Sequence, residues 1–185
     1  MKIRKKRSKK PKNQAKWIVK ITILAFLISL FFSFISETLL PNVSVFLGVL
    51  ILFFVIGLGI LFDMIGVAVT TVDERPFHSM SSKGLKEAKV AVILNKNADR
   101  VSSFCNDVIG DICGIISGSI GVIISNSISS SLSINSFATT LIVMAVIASL
   151  TIGGKALGKS TAIRKNEKIV HEFSKIISLV YKPKN

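Results

Sequence analysis

Two cysteines and two histidines in 185 residues leave little material for a disulfide framework or a zinc centre. Cys105 and Cys113 are eight residues apart, about 12 Å along the axis if one helix carries both, which is too far for a bridge. They are read as free thiols. His171 opens the segment HEFSK, which falls short of the H-E-x-x-H zinc pattern, and His78 reads as a solvated loop residue. No internal repeat and no catalytic constellation are found, so neither a repeat architecture nor an enzyme is expected. Acidic residues are scarce too: ten against 24 Lys and Arg, for a net charge of +14. Charge is scarcest of all within long apolar runs, and half of all residues are hydrophobic, which excludes an ordinary soluble domain.

Two uninterrupted apolar stretches, residues 17–36 and 43–71, and two weaker ones, 101–128 and 134–152, are each long enough to cross roughly 30 Å of hydrocarbon as a helix. The first is too long for the apolar core of a cleavable signal peptide, and no clear small-x-small site follows it, so it is read as a retained helix. The expected fold class is all-α, a polytopic membrane protein with four transmembrane helices. Nine Lys and Arg precede Trp17, none lies in ETLLPN, six lie in residues 75–100, none in SISSSLSIN, and eight follow from Lys155 onward. That alternation obeys the positive-inside rule at every connection and places both termini in the cytoplasm, with the protein in the plasma or inner membrane. It also makes residues 1–16, MKIRKKRSKKPKNQAK, a basic arm drawn to anionic lipid headgroups rather than to nucleic acid.

Pro41 ends the first helix. In the long basic connection, Ser82 is expected to cap a helix carrying Leu85, Ala88 and Val92 on one side, and residues 164–181 space Ile169, Phe173, Ile176, Ile177 and Val180 along one face. Both are expected as cytoplasmic juxtamembrane amphipathic helices, lying on the membrane surface or packing against the ends of the spans. The run SNSISSSLSIN reads as a flexible turn or as a polar helix end.

Acids inside the spans are the exceptions that carry chemistry, because a carboxylate is costly to remove from water. On a wheel at 100° per residue, Ser103, Asp107, Asp111, Gly114, Gly118, Gly121 and Ser125 fall within about 80° of one another, opposite Ile109, Ile112, Ile116, Ile120 and Ile123. The expectation is an isoleucine face toward lipid and a small, acidic face that lets another helix approach closely. Gly59, Asp63, Gly66 and Thr70 repeat the device on the second span. By depth, Asp63, Asp107, Asp111 and Lys155 can meet in the cytoplasmic half of the membrane. Such oxygens suit a hard cation such as Mg²⁺, with Ser103, Asn106 and the Gly110 backbone completing the shell. The residues alone leave a second arrangement open, in which an acid is paired statically with Lys155 or is protonated by burial.

GGKALGKST, residues 153–161, matches the phosphate-loop pattern G-x-x-x-x-G-K-[ST]. A phosphate loop joins a strand to a helix, whereas LIVMAVIASLTI completes a membrane span here, so no nucleotide is expected. The same segment resembles the G-E-x-x-P-K-T motif that closes the membrane domain of the cyclin M (CNNM)/CorC/CorB magnesium transporter family. FDMIGVAVTTVDERPFHSMSSKGLKEAKVAVILNKNADRVSSF is similar to that domain's first helix, its S-x-S-E-x-A segment, the juxtamembrane helix and the N-x-D-R-L segment, and Gly110-Asp111 stands at its G-N pair. The resemblance covers about three quarters of the chain, residues 43–181, leaving residues 17–40 as an extra N-terminal transmembrane helix.

The resemblance implies a dimer that transports Mg²⁺, or a related divalent cation such as Co²⁺, from an inward-facing cavity of serine, asparagine and glutamate. Carried over, the first serine position is Asp63, the asparagine is Asp111, the S-E glutamate is Gly66 and the G-E glutamate is Lys155. Two acids are gained and two lost, and an ammonium stands where the family has a carboxylate. A degenerate, non-transporting membrane scaffold or partner subunit is the alternative implied by that ammonium. Regulation through the cytoplasmic nucleotide-sensing domain that many members of that family append is not expected.

Overall fold

The computed structural model describes residues 11–39 and 44–180, and among these every element is helical. The first ten residues of the basic arm, the connection at Pro41 and the end at Tyr181 lie outside the described residues. In chain order the helices are α1 (Pro11–Leu39), α2 (Val45–Thr71), α3 (Arg75–Ser82), α4 (Lys86–Lys96), α5 (Ala98–Ser103), a single π-helical turn (Phe104–Ile109), α6 (Gly110–Leu132), α7 (Ser136–Arg164) and α8 (Asn166–Val180). Four continuous helical segments are long and apolar enough to cross a membrane: Trp17–Ile35, Val45–Thr71, Ala98–Leu132 and Ser136–Arg164. The chain is a multi-pass membrane protein of the expected all-α class.

α2, α6 and α7 form a three-helix core around Leu52, Ile56, Ile120, Ile124 and Ile147. Lipid tails are as apolar as these side chains, so burial alone gives the helices no reason to associate; close packing at small residues does. Gly154 and Gly158, one turn apart on α7, receive Ile60 and Met64 of α2: a Cβ at Gly158 would stand 2.9 Å from Met64 Cγ and 3.1 Å from Ile60 Cγ2. Gly121 of α6 receives Ile147, which a Cβ there would meet at 2.5 Å. Of the two fixed glycines of the phosphate-loop match, Gly158 is thus a packing notch inside a continuous helix, while Gly153 faces open space. α1 stands apart, packed against α6 with none of its apolar window buried.

The α6–α7 connection resolves the serine-rich run as a polar helix end. Ser127, Ser130 and Ser131 donate back to the carbonyls of Ile123, Asn126 and Ser127, so α6 continues to Leu132. Ser133, at φ 52°, closes it, and the Asn135 side chain accepts from the N–H groups of Phe137 and Ala138 to open α7. The two helices stay joined above this turn by a 2.9 Å hydrogen bond between the Ser125 and Thr140 hydroxyls.

At the other, basic end the short helices make a second core: Ala68, Val69, Val72, Phe77, Ala91, Val92, Ala162 and Val170 pack together. Of the two placements open for the amphipathic helices, packing against the ends of the spans is what occurs. Two details differ from expectation. Ser82 ends α3, donating to the Ser79 carbonyl, and does not cap α4, because Gly84 at φ 85° makes the turn two residues later. α8 is also rotated, with Val170 and Ser174 at its buried centre and Ile176 exposed, since Asn166 fixes its start by donating to the Thr71 carbonyl at 3.0 Å.

The notches make a direct prediction. Gly158→Ala destabilises the bundle by about 1–3 kcal/mol through overpacking against Met64 and Ile60, while Gly153→Ala, with open space at its Cβ position, is neutral or slightly stabilising. Thermal unfolding in detergent of both variants checks this; equal tolerance would show that the α2–α7 notch is not closed.

Candidate intramembrane polar site

The buried stripe of α2 runs Gly48, Leu52, Ile56, Gly59, Asp63 and Gly66, so the expected Gly59–Asp63–Gly66 seam forms, although Thr70 is exposed beyond it. Asp63 is thereby carried into the three-helix core, where it is only 4% exposed. Its partner is Lys159 of α7, whose Nζ stands 3.8 Å from Oδ2, and not Lys155. Register explains the choice: Gly158 packs against Met64, which sets the neighbouring Lys159 level with Asp63. At 3.8 Å the contact is electrostatic rather than a hydrogen bond, and Asp63 Oδ2 has no hydrogen-bond partner.

Beside it, the π-helical turn brings Asn106 inward. The wider turn shows in the bond from the Gly110 N–H to the Cys105 carbonyl, five residues back. The Asn106 side chain occupies the space left by the missing side chain of Gly66, where a Cβ would overlap its Oδ1. Its Nδ2 donates to Ser102 Oγ at 3.4 Å, while Oδ1 is buried without a hydrogen-bond partner. Asp63 and Gly66 are three residues apart, about 4.5 Å of rise along the α2 axis, so the amide enters less than one turn from the position that carries the carboxylate. Two unsatisfied oxygens, one charged, therefore share one small-residue seam inside the membrane bundle. Ser117 Oγ is a third buried oxygen atom without a partner, farther along α6.

Lys155 approaches the same region from α7; its Nζ lies 3.7 Å from where a Gly110 Cβ would be. Gly110 is buried, but Asp107 and Asp111 are exposed, as is Gly114, which has open space at its Cβ position. The four charged groups expected at one depth thus divide within a single chain into Asp63 with Lys159, Lys155 at Gly110, and two outward acids. Among the described residues no three acidic, histidine or cysteine side chains meet as a metal-binding group. Ser103 lies elsewhere, in a cavity against α1.

The expected small face of α6 is packed only toward the serine-rich end, where Gly118 meets Met144, Gly121 meets Ile147 and Ser125 meets Thr140. The isoleucine face was expected toward lipid, yet Ile112 and Ile120 are buried and Ile116 and Ile123 pack on the core. In a membrane apolar side chains are at home on either side of a helix, so hydrophobicity does not choose the inward face. Asn106, expected in the cation's shell, lies in the Gly66 notch of this seam, and Lys159 is the residue that the sequence reading leaves out. Lys159 is signalled by its place beside the Gly154–Gly158 pair; the inward turn of Asn106 has no signal in a regular helical wheel.

The cradle yields its own prediction. Gly66→Ala displaces Asn106 and lowers stability by about 1–3 kcal/mol, whereas Gly57→Ala, on the same helix with open space at its Cβ position, does not. Thermal unfolding of the two variants checks it; an undisturbed Gly66→Ala protein would mean that Asn106 is not seated there. No protein-family model matches the chain and no curated protein matches it, so the chemistry of these residues carries the functional reading.

Proposed function

We propose that this protein is a membrane transporter of Mg²⁺ or a related divalent cation such as Co²⁺, and that Asp63 and Asn106 supply oxygen to the ion in transit. The observation that carries the reading is the pair of buried oxygens, Asp63 Oδ2 and Asn106 Oδ1, each without a hydrogen bond. Burying such groups unpaired costs roughly 1–3 kcal/mol apiece, more for the charged one, and ionisable residues within spans are functional by default. A carboxylate and an amide oxygen are hard donors, suited to an ion that keeps part of its water. The π-helical turn that presents Asn106 is a feature found disproportionately at functional sites. Gly66, which stands at the glutamate position of the resembling family, leaves the room that Asn106 fills.

In this reading the protein acts without catalysis, in the plasma or inner membrane, with the basic end and both termini toward the cytoplasm as the charge alternation directs. The protein works as a homodimer. Asp107, Asp111 and Gly114 form an exposed polar face on a spanning helix, and a second copy removes those carboxylates from lipid, where each costs about 3 kcal/mol.

One observation favours the scaffold instead: Lys159 already sets an ammonium 3.8 Å from Asp63. A tethered cation that never leaves excludes a diffusing one. Lys159 is 52% exposed, however, and its stem is long enough to carry the charge to the headgroups. Thermal unfolding of wild type, Lys159→Met and Asp63→Asn, each with and without millimolar Mg²⁺, separates the two. For a transporter, wild type is itself stabilised by Mg²⁺, by up to about 2.7 kcal/mol at a hundredfold excess over Kd; for a tethered counter-ion only Lys159→Met responds, losing roughly 1–3 kcal/mol without Mg²⁺ and recovering with it, and Asp63→Asn responds in neither case. No Mg²⁺ response in any of the three leaves the scaffold.

A further inference from the structure

A cavity of about 300 Å³ lies away from Asp63, between the start of the α1 span and the α4–α5 corner. Lys96 and Arg100 supply two cations to its wall, Trp17 and Ile18 an aromatic and an aliphatic surface, and Ser103 a hydroxyl. The Arg100 guanidinium carbon stands 5.9 Å from the centroid of the Trp17 ring. The ring attracts the guanidinium through its face, and a guanidinium carries N–H donors enough to bind two oxygens of a phosphate. Lys96 adds a point charge that needs no fixed geometry. Asp99 also lines the cavity, and the two cations outnumber this one carboxylate.

Position names the ligand class. Trp17 begins the first membrane-crossing segment and Ala98 the third, so the cavity lies at the level where hydrocarbon gives way to headgroups. Trp17 is the chain's single tryptophan, and Ile18 beside it is exposed. Nine Lys and Arg precede Trp17 in the sequence and concentrate anionic lipid at this same end of the protein. α1, whose apolar window contains no buried residue, is held to α6 without a core of its own. A ligand gripping both Trp17 and Arg100 would tie it to the bundle.

We propose that this cavity binds the phosphate-ester headgroup of an anionic phospholipid, with Arg100 and Lys96 on the phosphate and Trp17 and Ile18 against the glycerol and upper acyl chains. The site is separate from the Asp63 pair and does not depend on cation transport. Trp17, as the sole tryptophan, reports on it directly.

The test follows Trp17 emission of the full-length protein in phosphatidylcholine nanodiscs as phosphatidylglycerol is increased. A saturating change is expected, with half-saturation raised at least fivefold in the Lys96→Gln/Arg100→Gln double variant and unchanged in Lys83→Gln, an exposed lysine outside the cavity. Helix content by circular dichroism confirms that the variants remain folded, and Lys96→Gln alone, at an exposed position, gives an intermediate value. Inorganic phosphate added to protein in pure phosphatidylcholine is expected to leave the emission unchanged. Saturation by inorganic phosphate in place of phosphatidylglycerol would overturn the lipid assignment. The same half-saturation in the double variant as in wild type would overturn the site.

Discussion

The structure depends on the close approach of α2 to α7 at Gly154 and Gly158. In a bilayer this contact is not driven by removing apolar surface from water, so it must be specified by shape. Ile60 and Met64 fill the two notches, and everything at the basic end takes its register from that fit. It sets Lys159 level with Asp63 and brings Ala162 into the second core, where Val170 of α8 completes the packing. A residue-sized slip between α2 and α7 would separate the ion pair and open the lower core together.

The same closeness makes Asp63 consequential. A carboxylate at a loose interface would find water; in this seam it has one ammonium and no hydrogen-bond donor on Oδ2. Asn106 deepens the problem rather than solving it, because its Nδ2 is directed to Ser102 and its Oδ1 is left without a donor. A cluster optimised for stability would place a donor between two such acceptors. A site that must receive and release a hydrated cation would keep the acceptors and hold a displaceable charge nearby, and Lys159, half exposed, fits that requirement.

Much of this was legible from the residues. Hydropathy located four spans, since runs of twenty apolar residues have few other uses, and the Gly59–Asp63–Gly66 spacing put the α2 acid on a buried seam. Within one chain the α6 acids face outward and not toward α2, for two physical reasons. A wheel turned at a constant 100° cannot represent the π-helical turn at Phe104–Ile109, which directs Asn106 and not Asp107 at α2. Isoleucine, equally soluble in a bundle and in lipid, also gives no indication of which face points inward, so Ile120 was assigned to lipid and is 1% exposed. Lys155 was named for its place in a motif, whereas the partner of Asp63 was decided by helix register, which only packing reveals. The serine-rich end kept two readings in sequence because serine serves turns and helix ends alike; the back-donated hydroxyls select the helix.

The account stands on Asp63 being a ligand for a moving cation and not only a partner for Lys159. Mg²⁺ uptake into liposomes carrying the purified full-length protein tests this most directly, with wild type and Asp63→Asn reconstituted at equal density and protein-free liposomes as the baseline. The account predicts saturable uptake by wild type that falls at least tenfold in Asp63→Asn. Wild-type uptake no faster than through protein-free liposomes, or uptake by Asp63→Asn equal to wild type, would contradict it.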